Sequence, residues 1–282
     1  MPLPPVNDVD VQFCFADGHR FTSMELNDVQ RASREQFARQ SDRYGTGHIL
    51  RNVDDVRAAL TRVALPVRAR ALDVASGGGH TGLLLASLGH EVILSDITQA
   101  MLDRAQETAR ERGLSVAVRL HAAESLPYPN GSFDLVTCRV AAHHFSSAEL
   151  FVRETARVLK AGGWFLLIDG TVEDEQSEAE EWSHQVEKLR DPSHHRFITP
   201  RQWHQLCRAG GMRVTHCGLT PFKQPDLNWY FDTAGTSPEN RQKVMDLVRH
   251  APESARMLFR LGEEDGKIVW WWQRLTLVAQ KQ

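Results

Sequence analysis

The chain has 282 residues, enough for one well-buried α/β domain with appendages or for two small domains. Its 33 basic side chains nearly balance 36 acidic ones, a formal charge of −3, and 41% of residues are hydrophobic; that excludes a disordered chain and argues against a surface for nucleic acid. Cys14, Cys138, Cys207 and Cys217 stand far apart with no Cys-x-x-Cys pair, the usage of a reduced cytoplasmic protein rather than of a disulfide framework or a zinc knuckle. The opening MPLPPVNDVD lacks the basic region and apolar core of an export signal, and no run reaches the roughly 18 apolar residues of a membrane span.

Within the first 36 residues, Val9 to Phe15 and His19 to Thr22 flank Asp17-Gly18, a strong two-residue turn signal, and predict a hairpin. Phe37 to Tyr44 reads as an amphipathic helix leading into Gly45-Thr46-Gly47. Short apolar runs then alternate with helical patterns, the rhythm of βαβ crossovers. Strands are predicted over Arg70 to Ala75, Glu91 to Ser95, Ala117 to His121, Phe133 to Arg139 and Trp164 to Asp169. Helices are predicted over Thr81 to Leu88, Gln99 to Arg112 and Ala148 to Lys160. Residues 37–170 thus form a Rossmann-like core. An acidic stretch, Glu173 to Glu181, and a His-containing loop occupy 171–199. A helix over Pro200 to Ala209 and a strand over Arg213 to Cys217 return to the core within 200–219. Residues 220–266 mix turns with two helical patterns, and 267–282 hold a last strand, Lys267 to Ala279. The fold class is α/β, with a seven-stranded, mostly parallel sheet and helical lid insertions at 171–199 and 220–266. The hairpin and the tryptophan-rich last strand offer a homodimer contact.

Leu72-Asp73-Val74-Ala75-Ser76-Gly77-Gly78-Gly79-His80 places a strand end, a run of small residues and a helix start in succession. Such a turn lets a ligand touch backbone, and the helix amino terminus favours an anionic group. Gly77, Gly79 and Gly82 also satisfy G-x-G-x-x-G, so a nicotinamide-dependent oxidoreductase is the competing reading. An acid at Asp73 sits badly beside a pyrophosphate and well beside a zwitterionic amino-acid tail. Asp96, which ends the second strand, is placed to accept both hydroxyls of a ribose or to cap the helix that follows.

Five landmarks in this order resemble the class I methyltransferases, in the branch similar to the ubiquinone/menaquinone biosynthesis enzymes. They are Asp73 to Gly79, Asp96-Ile97, Ala123 to Pro129, Ser132 to Val136, and Val158 to Gly163. The resemblance implies S-adenosylmethionine as cofactor. By position it assigns Asp73, Gly77 and Gly79 to the methionyl part, Asp96 to the ribose, and Ile97 to one adenine face, with Ala75, Ser76 and Gly78 among the cofactor contacts. Ala123 and Glu124 then flank the adenine edge, and Arg139 joins the cofactor-contacting set. Two departures stand out: Ala75 replaces the usual first glycine, and Ala122 stands where many members have an aspartate.

Arg139 to Phe145 follows the fourth strand at the carboxyl edge, where open α/β sheets place their chemistry. His143 and His144 are the candidate general bases, and Tyr44, His194 and Trp229 the candidate acceptor contacts. No His-x-x-x-His pair on a helix supports a metal site, and none is assigned. The expected activity is methyl transfer to a small organic acceptor, aromatic or quinone-like; a non-catalytic cofactor-binding protein is the second alternative beside the oxidoreductase.

Overall fold

A computed structural model describes residues 25–44, 49–173 and 177–282, the side chains of 43, 44, 49 and 177 excepted. The hairpin predicted within the first 36 residues and the side chain of Tyr44 lie outside the described residues.

The central sheet has seven strands in the order β3-β2-β1-β4-β5-β9-β6. These are β1 (Arg70–Val74), β2 (Glu91–Asp96), β3 (Ala117–Leu120), β4 (Phe133–Arg139), β5 (Leu159–Thr171), β6 (Met212–Lys223) and β9 (Trp271–Lys281). All pairings are parallel except those of β9, which runs antiparallel to both β5 and β6. On one face α2 (Asp54–Leu60), α3 (His80–Ser87) and α4 (Gln99–Glu111) cover an apolar layer that includes Leu83, Leu94, Ala105 and Leu166. On the other, α5 (Ala148–Val158) and α7 (Pro200–Ala209) bury Phe151, Trp203, Phe165 and Leu277. Each such side chain removed from water contributes about 1.5–3 kcal/mol.

A second apolar cluster joins α6 (Ser177–Arg190), α8 (Leu227–Ala234), α9 (Pro238–Arg249) and α10 (Glu253–Leu258) around Trp182, Tyr230, Val244, Phe259 and Trp270. The stretch from Glu178 to Glu181, read as acidic, belongs to α6, whose Ala179 is fully buried. The strand predicted over Lys267 to Ala279 is interrupted. Trp270 is buried edge-on against Tyr230 at 4.5 Å, so β8 (Lys267–Val269) leaves the main sheet and pairs with β7 (Gly262–Glu264) across Asp265-Gly266. Both turn residues have positive φ, 50° and 72°, the geometry a tight two-residue hairpin requires.

The segment predicted as a helix from Phe37 lies in the last turn of a longer one, α1 (Asp28–Gln40), followed by a 3₁₀ turn over Ser41–Tyr44. Its start is written in the sequence as a capping box: Asn27 accepts from Gln30 N, and the Gln30 side chain accepts from Asn27 N. Helix α1 bridges the two clusters. Gln36 and Gln40 both donate to the Ala234 carbonyl at the end of α8, while Gln30 donates to Glu124. Among the described residues no helix is long and apolar enough to cross a membrane.

Candidate active site

The cleft opens at the carboxyl ends of β1, β2 and β4, roofed by α1. Its space, counted out to the open mouth and including solvent there, is about 840 Å³. The floor is the turn after β1. Ala75 and Gly77 adopt left-handed backbone at φ 52° and 51°, and Gly79 starts α3 at φ 80°. A left-handed conformation costs a residue bearing Cβ about 1–2 kcal/mol, which gives the physical reason a glycine is usual at position 75. Ser76 N donates to Ser95 O at 2.8 Å, and Gly77 N to Asp96 Oδ2 at 2.9 Å. The Ser76 hydroxyl, in a residue of the cleft wall, is closed off from solvent with no partner among the described residues. A polar ligand would satisfy it.

Gly82 serves a different purpose from the glycines of the turn. A Cβ there would lie 2.1 Å from Leu94 Cδ2, so its absence lets α3 pack close to the sheet. Gly82 N donates to Asp73 Oδ2 at 2.9 Å, and Thr137 Oγ1 donates to Asp73 Oδ1 at 2.7 Å. Asp73 is 1% exposed and absent from the cleft wall, its carboxyl directed at α3 and β4. Burial lifts it to about 6.

Asp96 does reach the wall. Its Oδ1 accepts from Thr98 N at 2.9 Å, and with the Gly77 bond this sets the carboxylate at the head of the turn with lone pairs left over. Burial pushes its pKa up, against the pull of these backbone donors. Ile97, Met101, His121 and Ala123 continue the wall. His121 bonds the Ala122 carbonyl and the Tyr128 hydroxyl, and burial lowers its pKa to about 4. Glu124 also lines the cleft, with its carboxylate engaged: Oε1 accepts from Ser146 N and Oγ, Oε2 from Gln30.

The opposite wall is Arg139, Val140, Ala141, His144 and Phe145, with Phe37 and Leu50 above. Arg139 is a tether. It donates to Asp55 at 3.0 Å and to the Leu50 and Asn52 carbonyls at 2.8 and 2.6 Å, holding the segment before α2 over the cleft. Val140 lies at φ 53°, an outlier for a β-branched residue of the kind that concentrates at functional sites.

The two predicted histidines separate. His143 is not on the cleft wall; its Nδ1 pairs with Asp169 Oδ1 at 2.6 Å, and its pKa rises as Asp169 overcomes the opposing effect of burial. His144 is on the wall, edge-on to Phe37 at 4.9 Å and 4.1 Å from His143. Burial and the neighbouring His143 lower its pKa to about 4. His194 is 1% exposed, behind both, with neither ring nitrogen partnered among the described residues. Trp229 packs against the second apolar cluster and is not on the wall. Among the described residues no group of three or more His, Cys, Asp or Glu side chains is arranged to hold a metal ion. Sequence reasoning misses Gln30, Ser33 and Phe37 of α1, Leu50, and the Arg139–Asp55 pair. Only the Asn27-to-Gln30 capping box signalled any of them.

Residues 72–167 match the family described as a methyltransferase domain. The chain is 32% identical over 225 residues to the uncharacterised methyltransferase YcgJ of Bacillus subtilis, covering 79% of this chain and 88% of that one. The YcgJ crystal structure superposes with a TM-score of 0.75 over 82% of this chain and 99% of that one. A structure from Bacillus halodurans C-125, 29% identical, superposes at 0.76 over 81% and 99%. The demethylmenaquinone methyltransferase of Deinococcus radiodurans is 35% identical over 115 residues, 40% of this chain and 48% of that one. The length of the YcgJ likeness, joined to the strand order and the turn after β1, places the chain in the class I S-adenosylmethionine-dependent methyltransferases.

Proposed function

We propose that the cleft binds S-adenosylmethionine, its methionyl part over Ser76 to Gly78 and its ribose on Asp96, and that the methyl group passes to a small, flat, largely apolar acceptor. One observation carries this reading: Asp96 is buried at the end of β2, on the wall, and bonded to the same turn that carries the unpartnered Ser76 hydroxyl. The cofactor supplies a methyl group on a sulfonium, which is transferred by in-line displacement. What the chain has to do is align the acceptor and keep water out. Helix α1, latched through Gln30 and Glu124, and the Arg139–Asp55 tether close the cleft from above. Phe37, Leu50, Val140 and Phe145 make the acceptor's side apolar. The likeness to the demethylmenaquinone methyltransferase favours a ring compound as the acceptor.

Calorimetric titration with S-adenosylmethionine, S-adenosylhomocysteine and NAD, on wild type and Asp96→Ala, tests the cofactor assignment. Micromolar binding of the first two, weakened by about 10- to 100-fold in the variant, is expected from losing hydrogen bonds to a charged group. Binding of NAD alone would overturn it. Methyl transfer to a panel of phenols and quinols then tests the acceptor class.

A further inference from the structure

His144 is the only one of the two adjacent histidines on the cleft wall, and its protonation pattern can be read from what stands behind it. Ser193 Oγ lies 2.6 Å from Asp191 Oδ1 and 3.1 Å from His144 Nδ1. A hydroxyl has one hydrogen. Asp191, whose Oδ1 also accepts from the Ser193 amide, accepts that hydrogen. Ser193 must therefore accept from Nδ1–H, which leaves Nε2 as a lone pair. The ring borders the cleft, and the Ser193 backbone carbonyl also lies within its reach.

The loop that carries Ser193 is held firmly. Asp191 also accepts from Ser193 N at 2.9 Å. His195 N and Arg196 N both donate to the His143 carbonyl, at 2.9 and 3.0 Å, and Lys188 Nζ donates to the His194 carbonyl at 2.7 Å. Ser193 and Asp191 are 2% and 7% exposed, so water does not compete for these bonds.

We infer that Ser193 and Asp191 are positioning residues for methyl transfer, fixing His144 so that Nε2 accepts from the O–H or N–H of the acceptor. This rests on the reading of the cleft given above. In the step it serves, the lone pair of the acceptor oxygen or nitrogen forms the new bond to the methyl carbon. The S–CH₃ bond breaks with its electrons returning to sulfur, and the proton released by the acceptor passes to Nε2. The imidazolium so formed keeps its Nδ1–H on Ser193 and faces Asp191 through it, a geometry that stabilises the charge only while the step lasts. A carbon acceptor with no X–H group would have no use for this arrangement.

The test is the tautomer of His144, read at neutral pH by ¹H–¹⁵N correlation spectroscopy of the ring nitrogens in the full-length protein, with His144→Gln for assignment. The wild type should carry its proton on Nδ1. In Ser193→Ala that proton loses the hydroxyl that accepts it and shifts toward Nε2. In Asp191→Ala the freed serine hydroxyl donates to Nδ1, with the same result, whereas Asp191→Asn retains an acceptor oxygen and restores the wild-type pattern. A wild type protonated on Nε2, or variants that leave the tautomer unchanged, would overturn the inference. A parallel titration with S-adenosylhomocysteine should give the same affinity for wild type and Ser193→Ala; failure of the wild type to bind it would sink the cofactor reading and leave the tautomer result standing by itself.

Discussion

Asp73→Asn exchanges a buried carboxyl at the end of β1 for its neutral isostere, and its effect should grow with pH. Burial lifts Asp73 from the ordinary 3.8 to about 6, against the pull of Thr137, Gly82 and Arg139. A carboxyl raised in the folded chain contributes fully below its unfolded value, and the contribution is lost as pH rises through its folded value. At about 1.4 kcal/mol per pH unit, the ionised side chain costs the wild type about 3 kcal/mol at pH 8, of which about half is already present at pH 5. Asparagine keeps an acceptor for Gly82 N–H but turns an amide toward Thr137, whose hydroxyl hydrogen then loses its acceptor, an offset of about 1–2 kcal/mol. The variant should therefore be close to wild type at pH 5 and gain about 1–2 kcal/mol on it by pH 8. Urea unfolding followed by tryptophan fluorescence at the two pH values measures this directly. A difference independent of pH would refute the reasoning, since only a carboxyl that titrates between the two values produces the slope. The same variant decides a second matter. With its carboxyl behind the turn, Asp73→Asn should weaken S-adenosylmethionine binding by less than about 3-fold, under 1 kcal/mol, whereas direct contact with the ligand's ammonium would cost much more.

Two further outcomes follow from the packing. Gly82→Ala puts a methyl 2.1 Å from Leu94 Cδ2 and should cost about 2 kcal/mol by overpacking; the same change made in a Leu94→Ala background should cost less, and an unchanged urea midpoint in the single variant would dismiss the close approach of α3. His121, lowered to about 4 by burial, stabilises the fold through its neutral form, a contribution whole above about 6.5 and lost as pH falls through about 4. Ring-nitrogen spectra should show His121 neutral at pH 5.5 while His143, raised by Asp169, is protonated; the reverse order would contradict the assigned hydrogen bonds.

Local chemistry by itself determines much of this protein. The alternation of apolar runs with helical spacing between 70 and 170 needs no distant partner to be read, because strand and helix periods are written in neighbouring residues. The small-residue turn at Ala75 to Gly79 and the acid at Asp96 were equally legible, since a strand end followed by glycines and a helix start permits few conformations. Even the missed hairpin at Asp265-Gly266 and the missed start of α1 at Asn27 carried local signals.

The tertiary structure decides which side chains face the cleft and which face the protein. Asp73 and Asp96 look alike in sequence, each an acid at or near a strand end, yet β4 brings Thr137 to Asp73 and turns it inward, while the turn's own Gly77 holds Asp96 on the wall. His143 and His144 are adjacent, but Asp169 is 26 residues from the first and Ser193 is 49 from the second. Arg139 meets Asp55 across 84 residues. No periodicity or spacing records such pairings, because hydrogen bonds and burial act through space, and only the packed lid and sheet set which groups lose water and which partners replace it.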